Sequence, residues 1–211
     1  MGKNVVALKE WHLAVSALEH GRQTVIFRKG GIREPVFKAR SNELFLFPTS
    51  FHASLDLIKE EARPLSAKAV DWEPGPTLEM NSFALVTGSW ATKEGPSALE
   101  ALDDFHAYTE EFGAQRLTWN EKRVCTILEL QTFNLEEPIL FPSKEDYFGC
   151  FSFIDVAVDA DLDGLMERAT PAVPPSEFEE KRKALREALT RKVCPDLVTV
   201  QVPMRADRKQ R

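Results

Sequence analysis

The residues best suited to chemistry lie close together near the N-terminal end of the sequence. Arg28 and Lys29 precede the pair Gly30-Gly31, Arg33 follows it, and His52 stands just past the corner Pro48-Thr49. Two glycines between basic residues leave backbone N–H groups bare beside positive charge, the parts of an anion nest. The plainer alternative is a hairpin tip whose charges are merely solvated. Read as a site, Arg28, Lys29, Gly30, Gly31, Arg33 and His52 gather at one rim of a sheet and take a phosphate-bearing ligand. No glycine pair here completes a phosphate loop of the nucleotide-hydrolase kind.

Other chemistry has weaker support. Asp159, Asp161, Asp163 and Gly164 begin like a calcium loop, but the twelfth position is Thr170 where a bidentate Glu is needed. Acidic residues favouring the N-terminus of a short helix from Leu162 to Arg168 explain them as well. Glu129-Leu130-Gln131 on a strand, with Asp103 and Asp104 upstream, has the outline of a magnesium nuclease, except that Gln131 replaces the lysine. An outward-facing Glu on a half-buried strand is the everyday reading of Glu129. His12, His20, His52 and His106 form no metal-ligating pair, and no Ser or Cys sits in a nucleophile motif. No cofactor and no metal are expected.

The elements that must position these residues follow from period and punctuation. Leu8, Trp11, Val15 and Leu18 recur at helical spacing, predicting a helix over 5–20 capped by Asn4 and closed by a left-handed Gly21. Residues 23–27 and 43–47 read as strands, the second ended by Pro48. Residues 78–91 predict a strand with Gly88 as a possible bulge, and 97–112 a helix. Strands follow over 123–133 and 150–158, then a charged helix opening at Ser176-x-x-Glu179, and a last strand over 197–202.

Composition sets the outer bounds. A chain of 211 residues with 43% hydrophobic and 28% charged content is a globular protein with one main domain. Its net charge of -6 argues against bulk attraction to a polyanion and favours a small or single-site ligand. Cys125, Cys150 and Cys194 are odd in number and widely spaced, as for thiols in a reducing cytoplasm. No apolar run approaches bilayer length, so no membrane partner is expected.

The chain resembles the bacterial family of domains of unknown function numbered 1802. The likeness lies in Ala7-Leu8-Lys9-Glu10-Trp11, in Ala17-Leu18 with Gly21, in Arg28-Lys29-Gly30-Gly31-Ile32 with Glu34, and in Phe45-Leu46-Phe47-Pro48-Thr49 with His52. A fainter echo runs from Leu135 through Glu137-Pro138 to Gly149-Cys150. A more distant likeness is to ASCH and related PUA-like barrels, carried by Ala17 to Arg28, with Gln23 in the position of that motif's lysine. That resemblance implies binding of RNA or modified nucleobases, with Arg28 reaching a phosphate or base edge and Trp90 and Phe51 stacking on a base.

The reading is an α+β domain over 1–170, a mixed, mostly antiparallel curved sheet or partly closed β-barrel with flanking helices. Residues 171–211 form a C-terminal extension: the charged helix, a possible last strand and a basic tail. The function expected is a cytoplasmic nucleotide- or nucleic-acid-binding module, with RNA or DNA at a single site. The alternatives are a metal-dependent nuclease or hydrolase, and a protein-interaction module using the C-terminal helix.

Overall fold

A computed structural model describes residues 3–30, 36–50, 54–66, 75–117, 124–191 and 196–204. The chain opens with strand β1 (Lys3–Trp11) and turns directly into helix α1 (His12–Glu19). The helix predicted over 5–20 is therefore half strand, and Asn4 lies in β1. Residues 5–8, Val-Val-Ala-Leu, are covered on both faces between two neighbouring strands, so they form a continuous apolar run whose period mimics a helix. Gly21 does close α1 in the left-handed region, at φ 68. Arg22 N donates to Ala17 O at 2.9 Å, and a Cβ at Gly21 would stand 2.6 Å from Ala172 O.

The remaining strands are β2 (Val25–Lys29), β3 (Glu43–Thr49), β4 (Thr77–Thr92), β5 (Cys125–Pro142), β6 (Phe153–Val158), β7 (Thr170–Pro171) and β8 (Val198–Thr199). The helices are α2 (Gly95–Ala101), α3 (Glu110–Phe112), α4 (Leu162–Glu167) and α5 (Pro175–Arg191). Among the described residues the sheet runs β2-β5-β4-β3-β1-β6, with β7 added on β5 and β8 on β4. Only β1 with β3 pairs in parallel, so the sheet is mixed and mostly antiparallel, as expected. Register shifts between Val86 and Gly88, the bulge anticipated at Gly88. Pro48 does not end β3, because its place opposite Glu10 in the ladder with β1 is kept.

The helix predicted over 97–112 is also broken. After α2 come a 3₁₀ turn at Asp103–Phe105, an extended piece and then α3. Tertiary pairing overrides the helical period here. Tyr108 bridges to Ile58, Lys59 N donates to Ala107 O, and Thr109 N donates to Leu57 O. The extended piece buries Tyr108 completely, stacked on Phe112 at 4.1 Å.

Alternation along the strands divides the core. Leu8, Ile26, Leu44, Leu46, Ala84, Val86 and Leu128 come from five strands and fill the inside of the curl, with Val15 and Leu18 of α1. On the outside, Val25, Phe27 and Ile127 meet α2, α3 and α5. Phe45, Phe47, Met80 and Phe83 meet α4 in a second outer cluster. The curl is not closed by a ladder: β2 and β6 are opposite ends of the strand order. Side chains bridge the seam instead.

Candidate functional site

That bridge is Arg28, carried on β2. Its Nη1 donates to Glu10 Oε2 at 2.8 Å and to Lys9 O at 3.1 Å, and its Nη2 donates to Ser152 Oγ at 2.9 Å. The guanidinium lies 5.1 Å from the Phe37 ring centroid. Glu10 is 6% exposed, and its other oxygen accepts from Trp11 N at 2.8 Å. The Arg28 charge is thus neutralised inside the protein, by a carboxylate that falls within the helix predicted over 5–20 and lies instead on β1. Reading Val5 to Leu8 as a central strand was the signal that would have turned Glu10 inward.

Of the other predicted site residues, Lys29 pairs with Cys125 in the ladder, and Gly30 N donates to Val124 O at 3.4 Å. Gly31, Arg33 and His52, with the stacking candidate Phe51, lie outside the described residues. Trp90 is half-buried, folds back over Gly88, and has the Arg186 guanidinium 6.0 Å from its ring.

Beside Gly30 is a cleft of about 480 Å³. Its apolar walls are Val36, Ala91, Val124, Val198 and Val200, and Lys38, Lys93 and Asp196 also line it, with Thr92, Thr199 and Gln201. Both lysines are exposed, and neither forms an ion pair among the described residues. The cleft exists because β4 ends there and the segment after α5 runs back across it. Asp196 accepts from Thr92 Oγ1 at 2.7 Å and from Lys93 N at 2.8 Å, while Val200 N donates to Ser89 O at 2.9 Å. An apolar slot of this size with two ammonium groups suits a flat, weakly polar ring that carries negative charge. A second hollow of about 430 Å³ borders β6 near Lys144, Tyr147 and Phe151.

Several charged or titratable groups away from the cleft have structural duties. Glu129 is 1% exposed rather than outward-facing: Thr87 Oγ1 donates to its Oε2 at 2.8 Å and Arg186 Nη2 at 3.1 Å. It ties α5 to the sheet. Asp161 caps α4, its Oδ1 accepting from Gly164 N at 3.2 Å, and Asp163 pairs with Lys3. His106 is buried with both ring nitrogens engaged, Nε2 with Leu99 O at 2.9 Å and Nδ1 with Tyr108 N at 3.1 Å. The second bond requires an acceptor, so the proton sits on Nε2. Burial holds this imidazole neutral down to about 4. Burial likewise lowers the Lys9 ammonium, whose Nζ donates to Gly149 O at 2.9 Å above the Phe151 ring. Among the described residues no three His, Cys, Asp or Glu side chains group so as to hold a metal ion. No described helix is long and apolar enough to cross a membrane.

Residues 7–184 match the family described as a domain of unknown function, DUF1802, and the chain belongs to that family. No curated protein matches. Among solved structures the chain is similar to ASCH from Zymomonas mobilis, at 14% identity and a TM-score of 0.44, covering 78% of this chain and 95% of that one. Two single-residue variants of the same ASCH protein match at 14% identity and TM-scores of 0.42, each again over 78% of this chain, and over 98% and 96% of theirs.

Proposed function

We propose that this protein is a nucleotide- or nucleic-acid-binding module whose ligand occupies the cleft between the end of β4 and the segment after α5. The base lies between Val36 and Val124 on one side and Val198 and Val200 on the other, and phosphate meets Lys38 and Lys93. The observation that carries this reading is the cleft itself: an apolar slot with two exposed lysines on its rim, Lys38 and, beside the Asp196 carboxylate, Lys93. Apolar contact is indifferent to which base is present, and ammonium groups supply the phosphate attraction.

Gly30 bonds to Val124 in the cleft wall, and Gly31 and Arg33 fall in sequence between Gly30 and Val36. Arg28 serves a different end: with Glu10 it holds the seam beside the cleft, through Phe37, the neighbour of Val36 and Lys38. No observation of its own favours the nuclease reading, since the Glu129 carboxylate is engaged by Thr87 and Arg186.

Fluorescence anisotropy with labelled single-stranded RNA and DNA tests the proposal. Lys38→Glu with Lys93→Glu is expected to weaken binding by about tenfold or more. It should also flatten the dependence of log K on log salt by about 1.4, from roughly 0.7 per phosphate contact in single strands. Unchanged affinity and unchanged slope overturn the placement of the site.

A further inference from the structure

We infer that the segment over 196–204 makes this cleft a dead-ended slot that takes a single nucleotide unit, either a free mononucleotide or the terminal residue of a strand. A strand running through is shut out. This inference rests on the nucleotide reading above and narrows its ligand class.

The segment is pinned at both ends. At one end Asp196 accepts from the Thr92 hydroxyl and the Lys93 amide, at 2.7 Å and 2.8 Å. In the middle β8 pairs with β4 at Trp90 and Ala91, and Val200 N donates to Ser89 O. At the other end Pro203 O accepts from Asn42 N at 2.8 Å. Asn42 lies four residues beyond Lys38, in the stretch that forms the opposite wall. The strap thus runs antiparallel along the edge of β4, from Thr92 back towards Val86, and meets the 36–42 stretch at Asn42, which closes the slot at that end. A strand running through the slot has to part the contact between Pro203 and Asn42, whereas a terminal unit leaves it in place.

Volume and charge agree with that restriction. About 480 Å³ is within the range of a pocket for one small ligand, not a groove for several residues. Two lysines provide for one or two phosphates, and the chain's net charge of -6 opposes extended contact with a polyanion. The walls supplied by the strap are Val198 and Val200, so it also provides apolar surface for the base.

The test compares three probes on the full chain by titration calorimetry: the four nucleoside 5′-monophosphates, a short linear single-stranded oligonucleotide, and the same oligonucleotide closed into a circle. At least one monophosphate and the linear strand are expected to bind, and the circle to bind about tenfold or more weakly than the linear strand. In the variant Asp196→Ala with Val200→Pro, which removes the anchor at Thr92 and Lys93 and the amide bond to Ser89, the circle should gain affinity. Amide exchange over 196–204 reports whether the strap has been released, and an unchanged circular dichroism spectrum reports that the fold survives. Equal affinity for circle and linear strand in the full chain overturns the inference while leaving the nucleotide reading intact. A circle that stays excluded after exchange shows the strap released also overturns it. Failure of every probe to bind the full chain removes the nucleotide reading and this inference together.

Discussion

His106 offers a prediction whose size follows from its surroundings. The ring packs edge-on against Phe27 at 5.2 Å and has no room for a second proton, because Nδ1 already accepts from the Tyr108 amide. Burial lowers its pKa from 6.5 to about 4, with the bond to Leu99 O opposing the change and Lys59 adding to it. In the unfolded chain the imidazole titrates normally. Below pH 6.5 the unfolded state therefore takes up a proton that the folded state refuses, so the contribution is full above pH 6.5 and is lost as pH falls towards 4. At 1.36 kcal/mol per pH unit, the gap between 6.5 and about 4 amounts to about 3 kcal/mol. Urea unfolding of the wild type and of His106→Gln, measured from neutral pH down to about pH 4, isolates the term, since the carboxylates that also titrate are common to both. The variant is expected to be less stable at neutral pH, because Tyr108 N loses its acceptor. The difference between the two proteins should then shrink by about 3 kcal/mol on acidification. A difference that does not change with pH would refute the claim that this histidine is held neutral.

Two further outcomes follow from single contacts. Glu10→Ala leaves the Arg28 guanidinium without a counter-charge at a site where Glu10 is 6% exposed, and should cost about 3 kcal/mol in denaturant unfolding. Adding Arg28→Met should recover part of that loss, and strictly additive costs would contradict the pairing. Gly21→Ala forces a side chain into the left-handed region and puts its Cβ 2.6 Å from Ala172 O, so a loss of about 2–3 kcal/mol is expected. A thermal melt indistinguishable from the wild type would rule that out.

Where one physical cue governed an element, the sequence was legible. The β-prone run at 23–27, the bulge at Gly88, the left-handed Gly21, the strands β4 and β6 and the first half of β5 were readable, because each follows from alternation or from backbone freedom at one residue; β5 continues to Pro142, beyond the 123–133 expected. Residues 5–11 and 102–109 misled, since an apolar run buried on two faces and an amphipathic helix share the same spacing. Only the partners decide: β3 and β6 for the first, Ile58 and Phe112 for the second. The cleft was not legible from local pattern. Gly30 N donates to Val124 O, and Val124 is one of its walls. Its other walls come from Val36, Lys38, Ala91, Lys93 and Val198, separated by up to 162 positions and joined by tertiary folding alone. Glu129 was read as outward-facing, and Glu10 drew no reading as a buried partner, because nothing local distinguishes a carboxylate that will meet an arginine brought from another element.

The joint made by Arg28 has a mechanical corollary. Everywhere else along the circumference, neighbouring strands share their load over rows of amides, fourteen paired positions between β4 and β5 alone. Across this one line side chains carry it: the Arg28 guanidinium gripping Glu10, the Lys9 carbonyl and Ser152, and Phe37 stacked on Phe153 at 5.4 Å. Under force or heat the curled sheet should part first like a locket at its catch, with the two flanks still whole on either side.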